Sequence, residues 1–216
     1  MKTDTLNRIK RSDIDQMEKV YRLNLISSVT GYKPANLVGT QSESGNPNLT
    51  IISSVVHLGS NPPLIGFMQR PDTVRRDTYE NIQKTGYYTI NHIHTNFIEK
   101  AHQTSAKYDK DVSEFEACDI EISFLDKFHA PFVKESHIKV ALKFLDEIAI
   151  PHNGTSMIVG EIMDIYIKGQ CLEENGNLDL NAINDVCISG LDSYHTVTHK
   201  TSLSYAKPDK KLVRTK

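Results

Sequence analysis

Residues 48–82 read "NLTIISSVVHLGSNPPLIGFMQRPDTVRRDTYENI", and their punctuation decides the fold. Residues 49–58 are rich in β-branched side chains, which suit a pleated, half-buried surface. "GSNPP" breaks that strand, and "LIGFMQ" reads as a short buried one. The Pro62-Pro63 turn can fold the second strand back beside the first. Then comes Arg75-Arg76-Asp77-Thr78 at a helix start. Anions are held by hydroxyls, backbone N–H groups and guanidinium forks, helped by the dipole of a helix N-terminus. Ser53 and Ser54 lie inside the strand and point to opposite faces, so one side chain can enter such a site while the other contributes backbone. Asp77 brings negative charge to the same place. A capped surface helix with two solvated arginines is therefore the competing reading.

Working outward, residues 77–86 carry the marks of a helix, with Asp77 as N-cap, Glu80 completing a capping box and Gly86 at the C-terminal side. Upstream, Ser12 suits the N-cap of a helix over residues 13–24, where Ile14, Met17, Val20 and Tyr21 recur near helical spacing. "ISSVTGYKPANLVGTQ" reads as strand, turn and strand, and "SESGNPN" is a turn cluster. Downstream, "YYTINHI" is a strand by composition. "TNFIEKAHQTSAKY" reads as a helix capped by Thr95. Residues 109–118 read as charged surface and "IEISFLD" as a strand. "HIKVALKFLDEIAI" is a long strand with a helical alternative for its middle. "HNGT" turns into "SMIVGEIMDIYIKG", which alternates as a strand should. "EENGNLDLNA" is a loop, and "VCISGLDSYHTVTH" closes the chain. Many short strands without regular βαβ alternation predict a mainly β fold, an antiparallel barrel.

The 216 residues suit one domain, with a helical segment over residues 1–24 and a basic tail over residues 207–216. With 25 basic and 27 acidic side chains the formal charge is −2, so no global field points to nucleic acid. Three scattered cysteines, Cys118, Cys171 and Cys187, without a CxxC argue against a disulfide framework or a zinc site. No apolar run is long enough to span a bilayer. The expectation is a soluble cytoplasmic protein. GxGxxG after a strand, GxxxxGK[ST], HExxH and GxSxG are all missing. His92 and His94 share one side of a strand, which could suit a metal or simply polar rim groups.

The order of these segments resembles the flavin reductase-like, FMN-binding split-barrel family. The likeness rests on Asn48, Thr50 through Ser54, Pro62-Pro63, Asp77-Thr78, Asn81-Ile82, Gly86-Tyr87 and Asn91. It continues through "HAPFVKES", "HNGTSMIVGEIMDIYI" and "SGLDSYHT". The resemblance implies an antiparallel split barrel with flanking helices, a homodimer, and FMN near its interface. Asn48, Leu49 and Thr50 would then lie along the flavin ring. Ser53 and Ser54 would reach the ribityl chain and phosphate, and Gln69 would sit near the flavin. Arg76, Asp77 and Thr78 would form the phosphate end, with Lys33 as a further basic candidate. Asn91 is assigned a structural place. Tyr194 or His195 could line a nicotinamide slot or pack at the rim.

The implied activity is an FMN-dependent oxidoreductase that takes a hydride from NADH or NADPH. The flavin supplies the redox chemistry, so no catalytic acid or nucleophile is required of the protein. Three alternatives stay open: an FMN electron carrier without a nicotinamide site, a barrel acting on pyridoxine phosphate, and a barrel that has lost its flavin.

Overall fold

A computed structural model describes residues 6–71, 76–109 and 112–215. Arg75, named above, lies outside the described residues. The strands are β1 (Lys33–Pro34), β2 (Asn36–Gln41), β3 (Pro47–Ile52), β4 (Val56–Ser60), β5 (Pro63–Gln69), β6 (Tyr87–His92), β7 (Ile122–Ser123), β8 (Phe132–Val133), β9 (Ile138–Ile150), β10 (Thr155–Ile167), β11 (Val186–Ser189) and β12 (Ser193–Thr196). The α-helices are α1 (Arg11–Gln16), α2 (Lys19–Ser28), α3 (Asp77–Thr85), α4 (Ile98–Gln103) and α5 (Glu114–Ala117).

Seven strands form one antiparallel sheet in the order β3-β2-β6-β9-β10-β5-β4. Its two edge strands, β3 and β4, are consecutive in the chain and separated only by Ser53, Ser54 and Val55. Three residues span at most about 10 Å, so the sheet must curl until its edges meet. That is the split barrel, mainly β with flanking helices, as the sequence implied. The Ser54 hydroxyl stitches the joint: it accepts from the Met68 backbone N–H at 3.1 Å and faces the Met68 carbonyl at 3.4 Å.

β2 shows why a central barrel strand reads as continuously apolar. Leu37 packs outward with Leu49, Ile93, Phe97 and Phe115. Its neighbour Val38 packs inward with Phe67, Ile82, Tyr88, Ile90, Leu142 and Ile158. Alternation sends adjacent side chains to opposite faces, and both faces here are covered. Gly39 is required on this strand, because a Cβ there would collide with the Pro131 carbonyl. Asn91 is fully buried and ties β6 to β2 and β8, donating to the Leu37 carbonyl and accepting from Val133 N.

Several local readings need correction. Residues 13–24 are not one helix. Met17 adopts an extended conformation, and the Glu18 carboxylate restarts the helix by accepting from Val20 N and Tyr21 N. Ser12 lies inside α1, whose N-cap is Lys10. Residues 26–28, expected as strand, continue α2 until the chain turns with Gly31 at φ 77°. The strand over residues 49–58 is interrupted at its serines. Arg76 rather than Asp77 is the N-cap of α3, and Glu80 is spaced for Lys84 at 4.0 Å instead of a capping box. Gly86 does end α3 in the left-handed region, at φ 75°. His94, not Thr95, caps the next helical turn, its Nδ1 accepting from Asn96 N. "IEISFLD" contributes only the two residues of β7. The basic tail doubles back: Ser204 N donates to the Val213 carbonyl at 2.8 Å and Thr215 N to the Ser202 carbonyl at 2.9 Å.

Candidate functional site

Asn48 begins the site because it is where β3, α3 and α5 meet. Its Oδ1 accepts from the Thr78 hydroxyl at 2.6 Å and from the Thr40 hydroxyl at 3.3 Å. Asn81, one turn along α3, donates to Thr40 Oγ1 at 3.1 Å. The Asn48 amide nitrogen donates to Glu114 Oε2 at 2.7 Å, and the same oxygen accepts from Leu49 N at 3.1 Å. These contacts fix the first turn of α3 against the start of β3, and they seat α5 on the same strand. Phe115 and Cys118, buried in the outer core beside Leu49, hold α5 in place.

This junction opens into a cleft of about 830 Å³, within the range of about 300–1,000 Å³ that small-ligand sites occupy. Its wall includes Asn48, Asp77, Asn81 and the 42–47 turn on one side, with Tyr108, Glu114 and Phe115 on the other. The lining is acidic: Glu43, Asp77, Glu80, Glu114, Glu116 and Glu121 stand with Lys84. Burial raises the Glu114 carboxyl above the ordinary carboxylate value, reinforced by the charge of Asp77 and opposed by the Leu49 and Asn48 hydrogen bonds.

The expected site residues separate on this frame. Asn48 and Asp77 line the cleft, and Leu49 and Thr78 are buried behind it, Leu49 N bonded to Glu114 and the Thr78 hydroxyl to Asn48. Arg76 stands half-buried at the N-cap of α3, and its side chain makes no capping bond. Thr50 and Ser53 are half-buried at the end of β3 and in the barrel joint, while Ser54 is engaged with β5. Gln69 faces a second, smaller cleft of about 170 Å³ with Arg70, Tyr79, Glu147 and Ser156. Lys33 is elsewhere. Its ammonium donates to the carbonyls of Ser27 at 3.1 Å and Gly190 at 2.7 Å, and burial lowers its pKa. It locks α2 to the β11–β12 turn.

Of the rim candidates, Tyr194 makes a 3.0 Å hydrogen bond to His102 Nδ1, and burial pushes its phenol up to about 12. His195 makes a 2.8 Å contact with Ser189 Oγ and packs edge-on to Tyr32. His92 bonds Asp185 at 3.0 Å, and His94 stacks on His137. Among the described residues no group of three or more His, Cys, Asp or Glu side chains is placed to hold a metal. Nor is any described helix long and apolar enough to cross a membrane.

Glu114 was missed from sequence, lying in residues 109–118 that read as charged surface. The available signal was Phe115 and Cys118 three apart, one turn of apolar face in a polar run.

The split barrel with flanking helices, the start of its β3 hydrogen-bonded to the first turn of α3, matches a class of flavin-linked oxidoreductases. Residues 32–181 match the model of the flavin reductase like domain, and the chain belongs to that family. A candidate flavin reductase with split barrel domain from Shewanella frigidimarina NCIMB 400 is 47% identical, with TM-score 0.90, covering 93% of this chain and all of that one (100%). Two more distant structures share the fold. Nitrilotriacetate monooxygenase component B from Bacillus cereus has TM-score 0.81 at 17% identity, over 93% of this chain and 100% of that one. Flavoredoxin of Desulfovibrio vulgaris (Miyazaki F) has TM-score 0.66 at 24% identity, over 83% and 92%.

Proposed function

We propose that this protein is a homodimeric, FMN-dependent oxidoreductase whose flavin is reduced by NADH or NADPH, with the phosphate end at the Asn48–Thr78 corner. The observation that supports this reading, and that moves Asn48 and Leu49 from the ring, where the resemblance laid them, to the phosphate end, is the donor pair of Asn48 Nδ2 and Leu49 N. Both already hold a carboxylate oxygen, at 2.7 and 3.1 Å, so the pair is built to receive an anion. The donor set therefore fits a phosphate in kind.

Bound FMN would supply two-electron redox chemistry. The chain's own tasks are then to bind and orient. Thr78 and Arg76 at the start of α3 would meet the phosphate, where the helix dipole favours negative charge. Thr50 and Ser53 would meet the tail and ring edge. Gln69 would contribute from the second cleft, which shares α3 through Tyr79. A second copy has an apolar surface to meet. Among the described residues none of α1 or α2 is buried, and Val20, Tyr21, Leu23 and Ile26 are exposed. Leu145, Ile148, Met163 and Ile165 on β9 and β10 are exposed too.

The acidic lining favours a second reading, an FMN electron carrier reduced by a protein donor. Carboxylates around the cleft would repel the phosphates of a nicotinamide dinucleotide as they would that of FMN, and only the flavin tail has the Asn48–Leu49 donors and the start of α3 to offset them. Titration with FMN should produce a bound flavin spectrum in either case, and no change in the visible bands refutes both. Stopped-flow mixing of the loaded protein with NADH or NADPH separates them: rapid bleaching rules out the carrier.

A further inference from the structure

The donors that make the corner suitable for a phosphate are occupied by the protein's own carboxylate. Glu114 Oε2 takes the Asn48 amide and the Leu49 N–H at once. Leu49 is fully buried, and its N–H points at this oxygen. Two anions cannot share one such pair of donors, and Asp77 adds a like charge nearby. α5 itself need not move for the donors to be released. It is anchored through Phe115 and Cys118 in the outer core, whereas Glu114 is only half-buried at the cleft wall and can leave by rotating its side chain.

We propose that Glu114 is a tethered stand-in for the ligand's phosphate and sets the choice between charged and uncharged flavin tails. A flavin ending in phosphate must displace the carboxylate. Riboflavin, which ends in a hydroxyl, need not, because its hydroxyl can donate to Glu114 in place. The consequence is a site that binds riboflavin at least as tightly as FMN. Glu114 acts on the ligand's tail rather than on the ring, so it is a specificity residue with no part in electron transfer. This inference rests on the flavin-binding reading above.

The test compares wild type, Glu114→Gln and Glu114→Ala by equilibrium titration with FMN and with riboflavin, alongside thermal unfolding with and without pyrophosphate. Removing the charge should tighten FMN about tenfold or more, the effect of one charge-assisted contact, and leave riboflavin within about twofold. Pyrophosphate should then raise the unfolding temperature of Glu114→Gln more than that of wild type. A purely structural role would lower the unfolding temperature without moving the FMN-to-riboflavin ratio. If both flavins bind wild type and that ratio stays fixed in both variants, the inference fails while flavin binding stands. If neither flavin binds any of the three proteins, the flavin reading fails and this one with it.

Discussion

Replacing Asn48 by Asp changes one atom at the hub of the cleft, from a donor to an acceptor, and its cost can be worked from the contacts. The amide nitrogen lies 2.7 Å from Glu114 Oε2. Losing a charge-assisted bond costs about 1.5–3 kcal/mol. The new carboxylate also faces Glu114. Two like charges at about 4 Å repel by about 4 kcal/mol at an effective dielectric of 20, and roughly half of that survives solvent screening on the open side of the cleft. The total is about 3–5 kcal/mol, a large share of the 5–15 kcal/mol that holds a typical domain together. Acid should relieve the strain, because two carboxyls sharing one proton make a short O–H···O⁻ bond. The sign follows: the folded pair binds a proton more readily than the unfolded chain. Stability is therefore present at low pH and lost as pH rises through the raised folded pKa. Urea unfolding of Asn48→Asp at pH 5 and pH 8 measures this directly. Adding Glu114→Gln should recover most of the loss at pH 8, since a glutamine amide can donate to the new carboxylate. A loss under about 1 kcal/mol at pH 8, or no rescue by Glu114→Gln, would refute the hub as drawn.

Three further outcomes follow from other contacts. Arg76→Ala should weaken FMN by about 1.5–3 kcal/mol and hardly affect riboflavin, and an equal loss for both removes Arg76 from the phosphate end. The Tyr88 hydroxyl is buried without a hydrogen-bond partner, and a Cβ at Gly160 would collide with it. Gly160→Ala should then cost about 1–3 kcal/mol, while Tyr88→Phe should be at least as stable as wild type in urea denaturation, since an unpaired hydroxyl is given up. Burial holds His137 below the ordinary imidazole value, with His94, Lys168 and Lys139 adding repulsion to its protonated form. The folded state thus binds that proton less readily than the unfolded chain, so stability should fall as pH drops through about 6.5. His137→Asn should flatten this part of a melting-temperature profile, and an unchanged profile would show that other groups titrate there.

Local chemistry made part of this fold legible. Gly86 ends α3 where its sequence position required, and the long alternating segments became the β9–β10 hairpin. The Pro62-Pro63 turn does fold β5 back on β4, with Ser60 opposite Pro63. The barrel itself was read from strand number and the absence of crossover helices. The failures share a different cause. Helix α2 begins at Glu18 because that carboxylate caps two backbone amides, a contact that apolar periodicity does not register. Glu114 reaches a partner 66 residues away, and spacing cannot report such a meeting. Lys33 was a plausible cation by position, yet the fold spends it on two carbonyls. Of the residues the sequence singled out, Asn48, Leu49 and Thr78 meet, while Ser54, Gln69 and Lys33 do not join them, and Glu114 between Asn48 and Leu49 went unseen.

Closing the barrel and building the site are the same physical event. β3 and β4 can bound one sheet only if residues 53–55 turn sharply, and the Ser54 hydroxyl holds that turn against the β5 backbone. Because β3 is thereby pinned at its end, Asn48 at its start is pinned too, opposite the first turn of α3. α3 cannot drift, since Ile82 plugs the barrel interior one turn further on. The donors at Asn48, Leu49 and Thr78 are thus fixed in position by apolar packing and ladder register before any ligand arrives. Preorganised donors leave their charge preference to whatever lies across the cleft. Here that is α5, which is anchored by apolar side chains and free to vary at the residue that faces the donors. A barrel of this kind can keep its fold and its cleft while a single carboxylate at position 114 sets the charge that meets those donors.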